Sequence, residues 1–178
     1  MTVFGLQLGS DLVLPECKKT SSDGKLDFHY EIISRVWCYR RTDPNNQSQL
    51  GNEYVQIEVP FADRTPVFPA NEIIGCVLNG KLEGMAFRTL GLVTQPDVLA
   101  KLSAKYGKPT TSATNEVQNL MGAKFESVYA TWQFSNLLVE FQGTAGSLNQ
   151  GSVSVRTPLG KAAYETAKKQ LLNGGKPL

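Results

Sequence analysis

The single histidine of the chain is the first residue whose surroundings could support chemistry. His29 lies in the stretch LDFHYEI, with Asp27 and Glu31 at strand spacing on either side. A histidine between two carboxylates can act as a general base or a metal ligand. One histidine cannot build a multi-histidine zinc site, and no Gly-x-Ser-x-Gly elbow indicates a serine nucleophile. Our leading expectation is therefore a protein without a catalytic residue, metal or cofactor. An enzyme that uses His29 with Asp27 or Glu31 is only the third hypothesis on function.

The three cysteines bear on the compartment of the protein. Cys17 and Cys38 lie outside the apolar runs, whereas Cys76 lies inside the run IIGCVL. A bond between Cys17 and Cys38 would close a loop of about 20 residues and stabilise the fold by roughly 3 kcal/mol in the chain-entropy model. Cys76 would then be a buried thiol that packs as a small hydrophobe. Three free thiols in a cytosolic protein stay the alternative, because a cysteine count alone does not fix a compartment.

Aromatic and basic side chains are interleaved in one short stretch. Trp37, Tyr39, Arg40 and Arg41 could stack on single-stranded nucleic acid or contact another partner, and we take them as candidate binding residues. The whole chain carries 18 Lys and Arg against 16 Asp and Glu, a net charge of +2. That charge is too small to favour nucleic acid, so a solvated strand end is the ordinary interpretation.

Phosphate binding is not indicated by the glycine-rich stretch FQGTAGSLNQG. The stretch lacks the Gly-Lys-Ser/Thr ending and the helix that a phosphate-binding loop needs. A connection between two strands explains its glycines better. The carboxylates are scattered, and no pair of them is typical of a glycosidase.

Length and composition predict an ordinary folded protein. With 178 residues, 41% of them hydrophobic and 19% charged, we expect a single domain over residues 1–178. Pro60, Pro66 and Pro69 mark a candidate subdomain break near residues 60–70. No apolar run approaches the roughly 18 residues that cross a bilayer. The first residues have neither the basic region nor the apolar core of a secretory signal. We therefore expect one of two cases: the protein is cytosolic, or a signal has been removed and Met1 replaces the cleavage point.

The elements that position these residues start from a central hairpin. Asn79 and Gly80 tolerate positive φ, so they predict a two-residue turn between strands at residues 73–78 and 81–88, although the second strand does not reveal which side faces the core. Thr94 is placed to cap a helix over residues 95–106, whose apolar stripe should rest on a sheet. Residues 53–59 alternate cleanly and predict a half-buried strand.

The rest of the chain is predicted to add strands and one more helix. We expect strands at residues 3–8, 30–39, 127–134, 137–143 and 151–157. We expect loops at residues 42–52 and 110–123, the second with a short turn of helix at 116–121. A last helix should run from Pro158 to about residue 172, with Thr157 as its cap. Strands grouped before each helix predict an α+β fold, with a mostly antiparallel sheet of about seven strands and two helices packed on one face.

Residues 90–141 resemble a known group of proteins. They contain Leu90-Gly91-Leu92, a helix, Tyr106-Gly107-Lys108-Pro109, then Trp132 and Val139-Glu140-Phe141. This pattern resembles small bacterial cell-envelope proteins, namely outer-membrane assembly lipoproteins of the BamE type and the modules of β-lactamase inhibitor protein. The resemblance covers under a third of the chain, and no lipobox accompanies it. It implies helices on one face of an antiparallel sheet, export and protein binding, and it carries over no catalytic residue.

Together these observations lead to two hypotheses ahead of the enzyme. The first is a non-enzymatic, exported bacterial protein, periplasmic or secreted, that binds another protein or an envelope component with its sheet face or an edge strand. The second is an immunity or inhibitor protein that neutralises a toxin or hydrolase with an exposed loop such as residues 42–52. A cytoplasmic location is the alternative to export.

Overall fold

The computed structural model describes residues 2–17, 36–41, 51–65 and 72–173. In this part of the chain the strands are β1 (Thr2–Val3), β2 (Leu6–Gln7), β3 (Cys38–Arg41), β4 (Glu53–Glu58), β5 (Glu72–Leu78), β6 (Lys81–Thr89), β7 (Thr111–Gln118), β8 (Lys124–Gln133), β9 (Leu138–Ser147) and β10 (Gln150–Arg156). The α-helices are α1 (Gln95–Tyr106) and α2 (Pro158–Asn173), and short 3-10 turns lie at Phe61–Asp63 and Gly91–Val93.

Eight of these strands form one antiparallel sheet with the order β3-β4-β5-β6-β10-β9-β8-β7. The sheet consists of two four-stranded meanders, and the last strands of the two meanders, β6 and β10, pair at its centre. A separate small hairpin joins β1 to β2. The predicted α+β class and the antiparallel sheet are confirmed, and the strand number exceeds the expected seven.

The central hairpin forms as its turn residues predict. Asn79 and Gly80 have φ values of 51° and 78°, which is the two-residue turn that suits the twist of antiparallel strands. A β-bulge explains why the inward side of β6 was ambiguous. Cys76 pairs with Gly84 but Val77 pairs with Leu82, so Glu83 is an extra residue on β6 that shifts the alternation by one position.

Helix α1 has the predicted bounds, but Thr94 does not cap it with its side chain. The Thr94 hydroxyl accepts a hydrogen bond from the Leu90 backbone N–H at 3.1 Å, and the Val98 N–H donates to the Thr94 carbonyl oxygen at 2.9 Å. The apolar stripe is buried as expected, since Val98 and Tyr106 are among the buried residues. Gly107, with a φ of 82°, ends the helix. By contrast, the predicted cap of α2 is made, because the Thr157 hydroxyl accepts from the Gly160 N–H at 3.1 Å.

Two segments differ from the sequence prediction. Residues 110–123 were expected to be a loop with a turn of helix, and this is wrong because β7 runs through them as an edge strand paired with β8. Nearly all of its side chains are exposed, so the segment has no apolar alternation from which a strand could be read. Residues 3–8 form the tight turn and second strand of the β1–β2 hairpin instead of one strand, since Phe4 and Gly5 both have positive φ. Of the strand expected at residues 30–39, residues 30–35 lie outside the described ranges.

The two helices contact opposite faces of the sheet, so the expectation of both on one face is wrong. Helix α1 lies against Phe87, Val153 and Val155. The ring of Tyr164 in α2 lies 4.1 Å from the guanidinium carbon of Arg156, which directly follows Val155 and therefore points to the other face. An apolar helical stripe shows that a helix packs on something, but it does not encode which face of the sheet it will meet.

The face that carries α1 and the β1–β2 hairpin, here called the covered face, forms the core. Its central side chains are at most 2% exposed: Val55, Ile57, Ile73, Val77, Leu82, Met85, Ala130, Trp132, Val139, Phe141, Val153 and Val155. The Trp132 indole N–H donates to the Gly107 carbonyl oxygen at 2.7 Å, which ties α1 to β8. In the described part of the chain, neither helix combines the length and apolarity that a membrane span needs.

Candidate functional site

The predicted disulfide between Cys17 and Cys38 is confirmed, with the two Cα atoms 5.0 Å apart. Backbone hydrogen bonds run beside it: the Cys17 N–H donates to the Tyr39 carbonyl at 2.8 Å, and the Tyr39 N–H donates to the Pro15 carbonyl at 2.9 Å. The N-terminal segment therefore covers the outer edge of β3 and is held there covalently. Within the described residues, Cys76 is the free cysteine, and it is partly buried.

The candidate binding residues around Cys38 point in different directions. Tyr39 is a core residue, 7% exposed. The Trp37 indole N–H donates to a carboxylate oxygen of Asp63 at 2.7 Å. The structure therefore does not bring the two aromatic rings together as one exposed platform.

The two arginines of this stretch are each paired with a carboxylate. Arg40 lies 3.2 Å from Glu58, whose side chain is largely buried, and Arg41 lies 3.2 Å from Glu53. Successive strand residues face opposite sides, which separates the two guanidinium groups. A binding role for Trp37, Tyr39, Arg40 and Arg41 stays a prediction.

The residues of the enzyme hypothesis and most of the predicted inhibitory loop lie outside the described ranges. This applies to His29, Asp27 and Glu31, and to residues 42–50. Both hypotheses stay predictions. Elsewhere, in the described ranges, no group of three or more His, Cys, Asp or Glu side chains is placed to hold a metal ion.

The face of the sheet opposite α1, here called the open face, has the features of a binding surface. It presents alternate residues of β4, β5, β6, β8, β9 and β10, together with the first turns of α2. Tyr54 is 39% exposed, Ile74 is 38% exposed and Tyr164 is 42% exposed. Large side chains on the covered face are nearly inaccessible, so the two faces of one sheet differ sharply in their access to solvent.

A hydrogen-bonded carboxylate lies at the centre of the open face. Glu140 accepts hydrogen bonds from the Tyr129 hydroxyl at 3.1 Å and from the Ser154 hydroxyl at 3.2 Å. Its second oxygen also pairs with the guanidinium group of Arg156. The three donors fix the orientation of the carboxylate, and the guanidinium group of Arg156 balances its charge in a charge-assisted hydrogen bond.

Arg156 is held between this carboxylate and an aromatic ring. Its guanidinium group lies over the ring of Tyr164 on α2, an arrangement that attracts a cation to the ring face. Gly84, the residue opposite Arg156 on β6, leaves room for its aliphatic stem: a Cβ there would lie 3.3 Å from Cγ of Arg156 and 3.6 Å from Cβ of Cys76. Because Gly84 has no side chain, the stem of Arg156 can lie close to β6.

Tyr54 and Cys76 are cross-strand partners beside this cluster, and their side chains are hydrogen bonded. Burial raises the pKa of the Cys76 thiol, and the hydrogen bond to Tyr54 opposes that rise. Burial also raises the pKa of Tyr54, and the nearby Cys76 adds to the effect. A nucleophilic thiol needs a lowered pKa, so the direction of this shift does not favour Cys76 as a nucleophile.

Sequence reasoning missed this cluster as a unit. In the sequence Tyr54 alternates with Val55 and Ile57, and Ser154 and Arg156 alternate with Val153 and Val155, so each pattern puts these residues on the polar side of a strand. The signal that was lacking is the strand order, since only the pairing of β6 with β10 brings Tyr54 and Cys76 near Arg156.

Comparisons of the chain with protein-family models, with curated protein sequences and with solved structures find no match, so the resemblance of residues 90–141 to bacterial cell-envelope proteins stays an expectation.

Proposed function

We propose that this protein is a non-enzymatic, exported bacterial protein that binds another protein through the open face of its sheet. One observation carries the proposal: the two faces of the sheet are unequally buried. Tyr54, Ile74 and Tyr164 are each about two fifths exposed on the open face, whereas the central side chains of the covered face are at most 2% exposed. Large exposed side chains gathered on one face are typical of interaction sites.

The chemistry of the open face suits a protein partner. Tyrosine and arginine dominate the binding energy of protein interfaces because they combine large contact area with hydrogen bonding. Here Tyr164 lies over Arg156, whose charge is balanced by Glu140, and Tyr129 donates a hydrogen bond to that carboxylate. Because strand backbones and the hydrogen-bonded cluster hold these side chains, little ordering is needed on binding. The cluster is aromatic and its Arg156 and Glu140 charges balance each other, so we expect the partner to present an apolar patch to it.

The Cys17–Cys38 disulfide supports the exported location, in the periplasm or outside the cell. Disulfides persist in oxidising compartments and are rare in the cytosol. Free thiols should be counted in denatured protein, prepared from its native host with alkylation at lysis. One free thiol would agree with export, whereas three would favour the cytoplasmic alternative and, with it, an immunity protein.

Site-specific photo-cross-linking tests the binding face directly. We would place p-benzoylphenylalanine at Ile74 or Tyr164, and at Leu120 as a control that is fully exposed in the turn between β7 and β8. We expect adducts of one defined mass from Ile74 and Tyr164, in cells of the native host, and none from Leu120. Equal labelling at all three positions, or no adduct at the two open-face positions, would contradict the proposal.

An inhibitor of a toxin or hydrolase would also bind a protein, so activity separates the two hypotheses. If the cross-linked partner is a hydrolase or toxin, we would measure its activity with and without this protein. Inhibition that is lost in Tyr54→Ser/Tyr164→Ser would assign the inhibitor function. If the activity of the partner is unchanged, this protein binds its partner without inhibiting it.

A further inference from the structure

A cavity of about 250 Å³ lies on the covered face, between α1 and the sheet. Val98, Leu102 and Tyr106 border it from the helix, and Phe87, Val153 and Val155 border it from β6 and β10. Val153 and Val155 are at most 1% exposed, so Leu102, Phe87 and Phe4 provide most of its accessible apolar surface. The β1–β2 hairpin adds Val3 and Phe4. The cavity is open to solvent on one side and is separated from the open face by the full thickness of the sheet.

An empty apolar cavity of this kind is unfavourable. The side chains that line it lose van der Waals contacts, and water inside it finds few polar partners. An apolar group that filled the space would restore those contacts. The cavity therefore suits a ligand whose larger part is hydrocarbon.

The charged residues that border the cavity indicate which chemical group the other end of such a ligand should carry. Lys101 and Lys105 are four residues apart on α1, so their side chains lie on the same side of the helix, and both border the cavity. None of the described residues that line the cavity is acidic. Lys105 donates one hydrogen bond to the Thr2 carbonyl oxygen at 2.8 Å, which leaves its ammonium group two further donors.

The surroundings of the Lys105 ammonium group agree with a site for an anion. The residue is exposed overall, but the protein partly desolvates the ammonium group and lowers its pKa, since the charged form loses some contact with water. A bound carboxylate would compensate for that loss. A neutral or cationic ligand would not.

We propose that the cavity binds a medium-chain fatty carboxylate, with its acyl chain against Leu102 and Phe87 and its carboxylate at Lys101 and Lys105. A water molecule occupies about 30 Å³ and a methylene group nearly as much, so the cavity holds a chain of roughly eight or nine carbons. The chain length and the two ammonium groups together distinguish this ligand from a long-chain lipid and from a free inorganic anion.

Isothermal titration calorimetry with sodium decanoate, below its micelle concentration, tests the proposal on the full chain. We expect one site per protein. Lys101→Glu/Lys105→Glu should weaken binding by about tenfold or more, because two attractive charges become repulsive. Leu102→Trp should also weaken binding, because the indole fills the cavity. Lys168→Glu/Lys169→Glu, with both charges on the exposed part of α2, should leave binding unchanged.

Matched ligands provide the contradicting outcomes. Decanol, which has the same chain and no charge, and decyltrimethylammonium, which has the opposite charge, should bind at least about tenfold more weakly. Equal binding of either one, or unchanged binding of decanoate to Leu102→Trp, would overturn the proposal. Circular dichroism and thermal melts of each variant show that it is folded, and the two lysine substitutions keep the test valid if Leu102→Trp does not fold.

Discussion

Replacing Cys17 and Cys38 by serine tests how much the disulfide stabilises this fold. The two cysteines are 21 positions apart. In the chain-entropy model a closed loop of this length removes about 11 cal/mol/K from the unfolded chain, which is about 3 kcal/mol at room temperature. For a protein of this size that loss corresponds to a fall in Tm of about 6–12 °C.

Urea denaturation followed by tryptophan fluorescence would measure this change. The comparison is between Cys17→Ser/Cys38→Ser and oxidised protein, both in a Cys76→Ser background so that no thiol can exchange. We expect the free energy of unfolding to fall by about 3 kcal/mol, with a similar m-value in both proteins if the unfolded states expose similar surface. Reduced protein with both cysteines should match the serine variant.

A loss below about 1 kcal/mol would refute the reasoning, because the constraint on the unfolded chain depends mainly on loop length. A loss well above 5 kcal/mol would contradict a purely entropic effect. It would mean that the N-terminal segment leaves the edge of β3 without the bond, with the loss of the backbone hydrogen bonds between Tyr39 and residues 15–17.

Three further predictions test the packing and the chemistry of the described residues. Phe141→Ala should cost about 3–5 kcal/mol in urea denaturation, because the ring is fully buried at the centre of the covered face and its loss leaves a cavity. Gly91→Ala should destabilise far more than Gly107→Ala: both have positive φ, but a Cβ at Gly91 would lie 2.1 Å from a carbonyl oxygen, whereas at Gly107 it meets open space. Equal losses in the two glycine variants would contradict this model of the turn. In the protein the hydrogen bond from Tyr54 lowers the pKa of the Cys76 thiol, so its loss in Tyr54→Phe should raise that pKa further. The pH profile of iodoacetamide alkylation should therefore move to higher pH. A shift to lower pH would show that the phenol does not stabilise the thiolate.

Local signals were sufficient where the physical cause is itself local. The turn at Asn79 and Gly80 depends on the φ preference of two adjacent residues, and α1 depends on the spacing of apolar side chains over three turns. Placement of Cys17 and Cys38 outside the apolar runs favoured their bond but left three free thiols as the alternative, because the bond joins residues 21 positions apart. For the turn and for α1 the determining interaction lies within a few residues.

Edge strands and bulges escaped the same reasoning for a physical reason. β7 is exposed on both faces and is specified by its backbone hydrogen bonds to β8, which leave no apolar period in its sequence. In β6 the bulge at Glu83 changes which residues face the core, and the bulge is stabilised by α2, whose Gly160 packs on the Glu83 carbonyl oxygen. That contact joins residues far apart in the chain.

The sequence by itself determined the α+β class, the central hairpin and the bounds of α1, because turn preferences, spacing and composition act over short distances. Only the tertiary structure decided the strand order, the opposite placement of the two helices and the two candidate binding regions. The Arg156–Glu140 pair requires β9 beside β10, and the proximity of both to Tyr54 requires β10 beside β6. The cavity bordered by Leu102 likewise requires α1 and the β1–β2 hairpin to pack beside Phe87 of β6. Such contacts arise from the packing of distant segments, and no local pattern encodes them.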